Sequence, residues 1–280
     1  MASYYCIMTG LPELSLTDTR PAYTISRLKE DCEELLTDSD RQLLFYFFLK
    51  ADCRNLVRLL KHPDADFDPN GNYNLEQYLE LIHEASISEF DIPKYPSFMA
   101  DFVRSYHENI VRPDYFADDA MMQMYYEYST RCKNEMMADW YTFNFNLTNI
   151  LTALIARKNG WNVGDYVLGD NEISEMLRIN KSKDFDLTRE YDYVAELMKI
   201  ADETDPVEKE RQIDVMKWQW LDDRTFFDTF SIEAVFAYFC KLEMLERWEH
   251  LDVEEGKETF RQIIEQLRGE AKVPEEFIRK

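Results

Sequence analysis

The densest set of possible metal ligands in the chain is the stretch Asp66-Phe67-Asp68-Pro69-Asn70-Gly71-Asn72-Tyr73-Asn74-Leu75-Glu76-Gln77. Counted from Asp66, it puts Asp66, Asp68, Asn70 and Gly71 at positions 1, 3, 5 and 6 of a calcium-binding EF-hand loop, with Asn72 at position 7. Position 12 departs from that pattern, because Gln77 has one amide oxygen where the loop needs a bidentate carboxylate, and Glu76 comes one residue early. The same Asp, Asn, Gly and Pro types also suit a turn between helices without any metal.

Glu80-Leu81-Ile82-His83 has the ExxH spacing of a di-iron bundle ligand pair, which requires a second ExxH and two further glutamates. His62, His107 and His250 are not preceded by a glutamate at that spacing, so the pair stands alone. Cys53 next to Arg54 has a cation that favours a thiolate, yet its surroundings are apolar enough for a packed small residue. No GxSxG, GxxxxGK[ST], GxGxxG or HExxH occurs. The expectation is no catalytic residue, no cofactor and no metal beyond the Asp66, Asp68, Asn70, Asn72 loop.

The elements that would carry these residues are helices. Apolar residues recur at helical spacing almost from end to end, and strand-like alternation is nearly absent. Ile25, Leu28, Cys32, Leu35 and Leu36 form one stripe, after which Thr37, Ser39 or Asp40 can cap a helix running to Lys61, before His62-Pro63. Leu75, Tyr78, Leu79 and Ile82 form a further face, and Pro93 and Pro96 punctuate the connection to Phe98, Phe102 and Tyr106. A segment from Asp114 to Met137 is rich in Met and Tyr, with Met121, Met122, Met124, Tyr125, Tyr126 and Tyr128 as its densest cluster. Such residues carry interfaces as well as cores. Phe143 to Ile155 is apolar nearly all round, as a central buried helix must be, and Asn159-Gly160 supplies its stop. Helices are expected over Leu187 to Ile200, Pro206 to Leu221, Ser231 to Trp248 and Val253 to Leu267, with a short one opened by Pro274.

Composition agrees with that reading. Only 7 of 280 residues are glycine, while 45% are hydrophobic and 14% aromatic, which supports a real core and leaves few residues for tight hairpins or phosphate cradles. The net charge of −23 repels nucleic acid and anionic lipid over most of the surface, so any partner surface is expected to be basic or apolar. Five cysteines without a CxxC pair fit a reduced, cytoplasmic protein. MASYYCIMTG has no basic residue ahead of its apolar stretch, unlike a secretory signal. The longest apolar run, Leu43 to Leu49, is far short of the roughly 20 residues that span a bilayer.

An internal repeat emerges at the two most apolar helices. Asp52-Cys-Arg-Asn55-Leu56-Val-Arg-Leu-Leu60 aligns with Asn146-Leu-Thr-Asn149-Ile150-Leu-Thr-Ala-Leu154, sharing [DN]xxN[LI]xxxL, and basic residues follow in both. A looser copy is Asp228-Thr-Phe-Ser231-Ile232-Glu-Ala-Val-Phe236. Short polar side chains three residues apart share one helical face and can tie helix ends together at a junction. The chain thus reads as three related helical units, about 1–95, 96–200 and 201–280.

Leu49-Lys-Ala-Asp52-Cys-Arg-Asn55-Leu56-Val-Arg-Leu-Leu60-Lys61 resembles the Asp-x-x-Asn-Leu-x-x-x-Leu-Arg helices of the C (or d) subunits of V-type and archaeal-type rotary ATPases. Phe145-Asn146-Leu-Thr-Asn149-Ile150 to Arg157-Lys158 looks like the second instance, with Asn146 standing for Asp. Val235-Phe-Ala-Tyr238-Phe-Cys-Lys241-Leu-Glu243 to Arg261-Gln-Ile263-Ile264 is similar to the closing region, and Tyr4-Tyr5-Cys6-Ile7 to Leu11-Pro12-Glu13-Leu14 is similar to a bacterial branch of that group. The resemblance implies an all-α, funnel-like assembly of three pseudo-repeats, lying peripherally on the cytoplasmic face of the proteolipid ring. It implies a non-catalytic rotor protein, partnered by the ring and the central stalk, without direct bilayer insertion or nucleic-acid binding. The alternatives from the residues alone are a free-standing helical adaptor or a calcium-binding protein and, as an enzyme, a metal-dependent helical hydrolase.

Overall fold

A computed structural model describes residues 4–18, 21–87, 92–108, 110 and 117–250. Among the described residues the regular structure is eleven α-helices and one short 3-10 turn at Val163–Asp165, with no strand. The helices are α1 (Tyr4–Gly10), α2 (Ile25–Leu35), α3 (Asp38–Lys61), α4 (Leu75–Ile87), α5 (Ser97–His107) and α6 (Ala117–Ser129). They continue as α7 (Glu135–Lys158), α8 (Glu172–Ile179), α9 (Val194–Asp202), α10 (Pro206–Thr225) and α11 (Ile232–His250). No described helix is long and apolar enough to cross a membrane.

Local chemistry sets the ends of the long helices. The Thr37 hydroxyl accepts from the Asp40 amide at the start of α3, Asp38 and Asp40 sit in its first turn, and Arg58 and Lys61 sit in its last. That charge order complements the helix dipole. Asn134 caps α7 by accepting from the Met137 amide at 3.1 Å, and Gly160, with φ of 72°, reverses the chain after it. Asp205 caps α10, whose first residue is Pro206, where a missing amide proton costs nothing.

The packing turns on α3, α7 and α11. The helix α3 lies against α6 and α11, whereas α7 touches α6, α8, α9 and α11. Both α1 and α2 pack on α11, which closes the start of the chain onto the last described helix, and α10 is held between α9 and α11. The helix α7 is enclosed, with residues on every side of it buried, from Met137 and Trp140 to Ile150 and Ala156. Tyr125 and Met121 of α6 are buried between α3 and α7, and Tyr46 of α3 stacks on Tyr128 at 5.5 Å while Tyr126 stacks on Phe145 at 5.2 Å. The Met and Tyr cluster of α6 is therefore largely core.

Several elements differ from the sequence expectation. The segment from Asp114 to Met137 is not continuous from Ala117 onward, because the polar run after Ser129 turns, with the Cys132 amide bonded to the Ser129 carbonyl, before Asn134 opens α7. Between Leu187 and Ile200 only α9 is helical. The chain before it runs through left-handed Phe185 and Asp186 and successive turns, because the buried Phe185 ring fixes that reversal. The short helix α8 has no counterpart in the sequence expectation. On α4 the buried face is Tyr78, Leu81 and Ala85, while Leu75 and Leu79 point outward, a rotation that the phenol of Tyr78 imposes by reaching into the neighbouring helix. Leu35 likewise faces outward and Leu36 takes its buried place. The expected helices at Val253 to Leu267 and after Pro274, and the Arg261 to Ile264 stretch, lie outside the described residues.

Candidate functional site

Asp52 and Asn55 sit in the middle of α3, fully buried, one turn apart on a single face. A primary amide there can satisfy itself only with groups brought to it from outside the helix. Asn55 does so with one loop residue, accepting the Asp68 amide at 2.7 Å and donating to the Asp68 carbonyl at 2.9 Å. Its second amide proton goes to the Tyr78 hydroxyl at 3.1 Å, and that hydroxyl donates to Asp52 at 2.6 Å. Asp52 also accepts from the Asn72 amide at 2.7 Å, the Asn72 side chain at 2.6 Å and the Tyr73 amide at 3.2 Å. Burial pushes the Asp52 carboxyl up from its ordinary range, and these hydrogen bonds pull it partly back. Gly71 passes so close that a β-carbon there would overlap the Asp52 carboxylate and lie 2.7 Å from the Tyr78 hydroxyl.

The same geometry recurs on α7. Asn149 accepts the Leu168 amide at 2.9 Å, donates to the Leu168 carbonyl at 2.9 Å, and gives its other proton to the Ser174 hydroxyl at 3.1 Å. Ser174 is in the first turn of α8, as Tyr78 is in that of α4, so each long helix grips the loop and the start of the next helix together. Asn146, one turn before Asn149, accepts from Asn171, the residue that caps α8. Sequence reasoning missed α8. Its signal was Asn171 followed by Ile173, Met176 and Leu177, a capped stripe only eight residues long.

The third sequence copy is placed differently. Asp228 is exposed in the turn before α11, and Ser231 accepts the Ala234 amide at 3.2 Å and donates to the Asp228 carbonyl, which is a helix start and not a mid-helix grip. On α11 two glutamates reach neighbouring helices, Glu246 the start of α2 and Glu243 the middle of α3. Glu246 accepts the Ile25 amide at 2.7 Å, the first residue of α2, and Glu243 pairs with Lys50 of α3 at 2.8 Å. A repeat pattern written in Asp and Asn does not reach these glutamates.

The Asp66 loop uses its oxygens internally. The Asp68 carboxylate accepts the Asn70 amide, Asn70 accepts from the Ser26 hydroxyl, Asn72 turns its amide to Asp52, and the Asp66 carbonyl accepts from Arg58. Gln77, in the position of the calcium clamp, accepts the Asn74 amide while Asn74 accepts the Gln77 amide, a reciprocal capping box that opens α4. Among the described residues no three His, Cys, Asp or Glu side chains converge as a metal site. Glu80 pairs with Lys94 and Tyr95, and Cys53 is fully buried with its thiol pushed well up by burial.

A cavity of about 740 Å³ opens among α3, α7, α10 and α11. Its charged lining is four cations, Lys50, Arg54, Lys217 and Arg247, and four carboxylates, Asp68, Asp214, Glu243 and Glu246. Burial would push Glu243 up, but Lys50, Arg54 and Lys217 outweigh it and hold the carboxyl below its usual range. Asp214 accepts from Arg247 and from the Trp248 indole at 2.7 Å through one oxygen, and its other oxygen is buried with no partner among the described residues. Burial, reinforced by Lys50 and Arg247, pushes the Lys217 ammonium down to about 8.

Fold and site together define an all-helical protein built on long helices whose buried amides hold the following loop and helix. The chain belongs to the family described as "Protein of unknown function (DUF2764)", whose model matches residues 1–271. No curated protein and no solved structure matches it.

Two outcomes follow from this geometry. Asn55→Ala or Asn149→Ala orphans a loop amide and carbonyl and should each lower stability by about 2–4 kcal/mol, on a cost of roughly 1–3 kcal/mol for a buried unsatisfied group. Asp228→Ala should change it by less than about 0.5 kcal/mol, as for other exposed positions, and urea melts of the three variants check the contrast. The second concerns pH. Lys217 loses its proton near 8 in the folded protein but near 10.5 in the unfolded chain, so by this group alone the unfolded state binds more protons between those values and stability rises with pH there. The buried thiols of Cys32, Cys53, Cys132 and Cys240, pushed up by burial, oppose it as unfolded thiols ionise near about 8.5. The Lys217 contribution is therefore read as the difference in pH slope between the unaltered protein and Lys217→Met over about pH 7.5 to 9, with the unaltered protein gaining stability relative to the variant.

Proposed function

We propose that this chain is a non-catalytic central-stalk component of a V/A-type rotary ATPase, coupling the stalk to the membrane proteolipid ring from the cytoplasmic side. The observation that carries the reading is the recurrence of one module. Helix α3 with Asp52 and Asn55, and helix α7 with Asn146 and Asn149, each grip the backbone of a following loop at both its amide and its carbonyl. Those are the residues through which the chain resembles the C (or d) subunits of such ATPases.

On this reading α11 belongs to a third unit, with Glu243 and Glu246 in the role of the polar pair, and the three long helices surround the cavity as the wall of a funnel. Torque transmission needs a stiff body more than a reactive one. Loops tied at both backbone groups to buried helices meet that need, since they cannot shift without stranding buried polar groups. Partner surfaces would be basic or apolar, given a charge of −23 and the exposed Phe226, Phe227 and Phe230 between α10 and α11.

Co-expression of a tagged chain with the catalytic, stalk and proteolipid subunits encoded in the same genome tests the proposal. Recovery of the tagged chain in fixed stoichiometry with the assembled ATPase, and uncoupling of ATP hydrolysis from ion transport when it is omitted, are expected. An ATPase that assembles and couples fully without it would overturn the reading.

A further inference from the structure

Among the described residues the exposed phenylalanines all fall in one short stretch. Phe226, Phe227 and Phe230, between the end of α10 and the start of α11, are 72%, 94% and 47% exposed. Tyr5 of α1, 67% exposed, brings its ring to 5.2 Å from Phe230, and the rings of Phe226 and Phe227 stand edge to face at 4.9 Å. The turn that presents them is held by its own bonds. The Thr225 hydroxyl donates to the Leu221 carbonyl at 2.8 Å, the Asp228 amide to the Thr225 carbonyl at 3.3 Å, and the Ser231 hydroxyl to the Asp228 carbonyl at 3.1 Å. Aromatic rings gathered in water on a fixed backbone mark a contact surface. Its flanks are acidic. Asp222, Asp223, Arg224 and Asp228 are exposed beside the rings in sequence, Asp222 pairs with Lys241, and Arg224 pairs with Asp139 at 2.8 Å. Asp223 and Asp228 then have no side-chain partner among the described residues, and α1 contributes no charged residue.

We propose that this surface docks a basic amphipathic helix of a protein partner, with Tyr5, Phe226, Phe227 and Phe230 receiving its apolar face and Asp223 and Asp228 its lysines or arginines. An apolar helix face laid on the rings supplies affinity through burial, and the two free carboxylates supply the sign that selects the partner. Arginine suits the site further, because a guanidinium packs on the face of a phenyl ring. Other occupants lack that sign. A second copy of the chain would bring the same carboxylates against Asp223 and Asp228, which opposes association. Nucleic acid and anionic lipid are repelled by a chain charge of −23, whereas a cationic helix is drawn in by it. The inference narrows the partner surface of the rotary-ATPase reading to one place without needing that reading. It concerns the isolated chain, so an ATPase that couples fully without this protein would leave it standing.

Fluorescence anisotropy of a labelled synthetic helix with leucine on one face and lysine on the other, titrated with the purified full chain at physiological salt, tests it. One peptide per chain is expected, with affinity falling at least tenfold in the pair Phe226→Ser, Phe227→Ser and in the pair Asp223→Asn, Asp228→Asn. Affinity should be unchanged in the pair Asp64→Asn, Glu175→Gln, which removes exposed carboxylates from other elements. A peptide with glutamate for lysine should not bind, nor one with serine for leucine. Equal binding of the serine peptide would reduce the effect to the charge of the chain and overturn the proposal, as would no binding of the leucine and lysine helix. Self-association of the chain that the Phe pair abolishes, or capture by phosphatidylcholine vesicles, without peptide binding, would give the surface to a second copy or to a membrane and overturn it too. Thermal melts complete the test. All four altered residues are exposed, so both midpoints should stay unchanged. If one pair alone is destabilised the other decides, and lowered midpoints in both would show these residues to be structural and overturn the proposal.

Discussion

A side-chain amide buried in the middle of an apolar helix has no partner of its own, and the fold is arranged around supplying one. Asn55 and Asn149 each take the amide and the carbonyl of a single loop residue, so that a side chain stands in for an adjacent strand. The consequences run outward from that pair of bonds. The loop must approach the helix closely, which requires glycine at position 71, and the next helix must begin where its first turn presents Tyr78 or Ser174 to the same amide. Helix, loop and following helix therefore move as one body, and breaking the grip strands polar groups on both sides of it.

The electrostatics follow a related division. Most of the acidic excess is on the outside, where it is solvated, while four cations and four carboxylates line one cavity. Glu243 links the two features, because it pairs with Lys50 across the α3 and α11 contact and is held ionised by Arg54 and Lys217. Glu246, one turn on, reaches the start of α2 and so ties the first part of the chain to the last described helix. The same α11 thus closes the fold and furnishes a wall of the cavity.

The helical class and the two best gripping pairs were legible in the sequence, because apolar periodicity is strong over α3 and α7 and the [DN]xxN pattern interrupts it at matching places. What the residues grip was not legible. The targets are backbone groups of Asp68 and Leu168, and a backbone amide leaves no residue-type signal. Helix α8 escaped for a related reason: eight residues give little periodicity, and tertiary contact with Asn149 and Asn146 specifies it more than propensity does. The Asp66 loop carries most of an ion-binding pattern, yet the same oxygens serve as caps and as partners of the helix behind them. Asp228 and Ser231 matched the repeat by residue type, but their positions before α11 make them a helix start. Glu246, which reaches the start of α2, and Glu243, which reaches Lys50 of α3, are invisible to a pattern framed around short side chains.

The central claim is that loop backbone is held by buried helix amides. Amide hydrogen exchange at Asp68 and Leu168 measures this most directly, since both amides sit in loops that would otherwise exchange freely. The account predicts protection at both approaching that of the α3 and α7 core amides, with exchange at Asp68 alone accelerated in Asn55→Ala and at Leu168 alone in Asn149→Ala. Fast exchange at either amide in the unaltered protein, at the rate of an open loop, would contradict it.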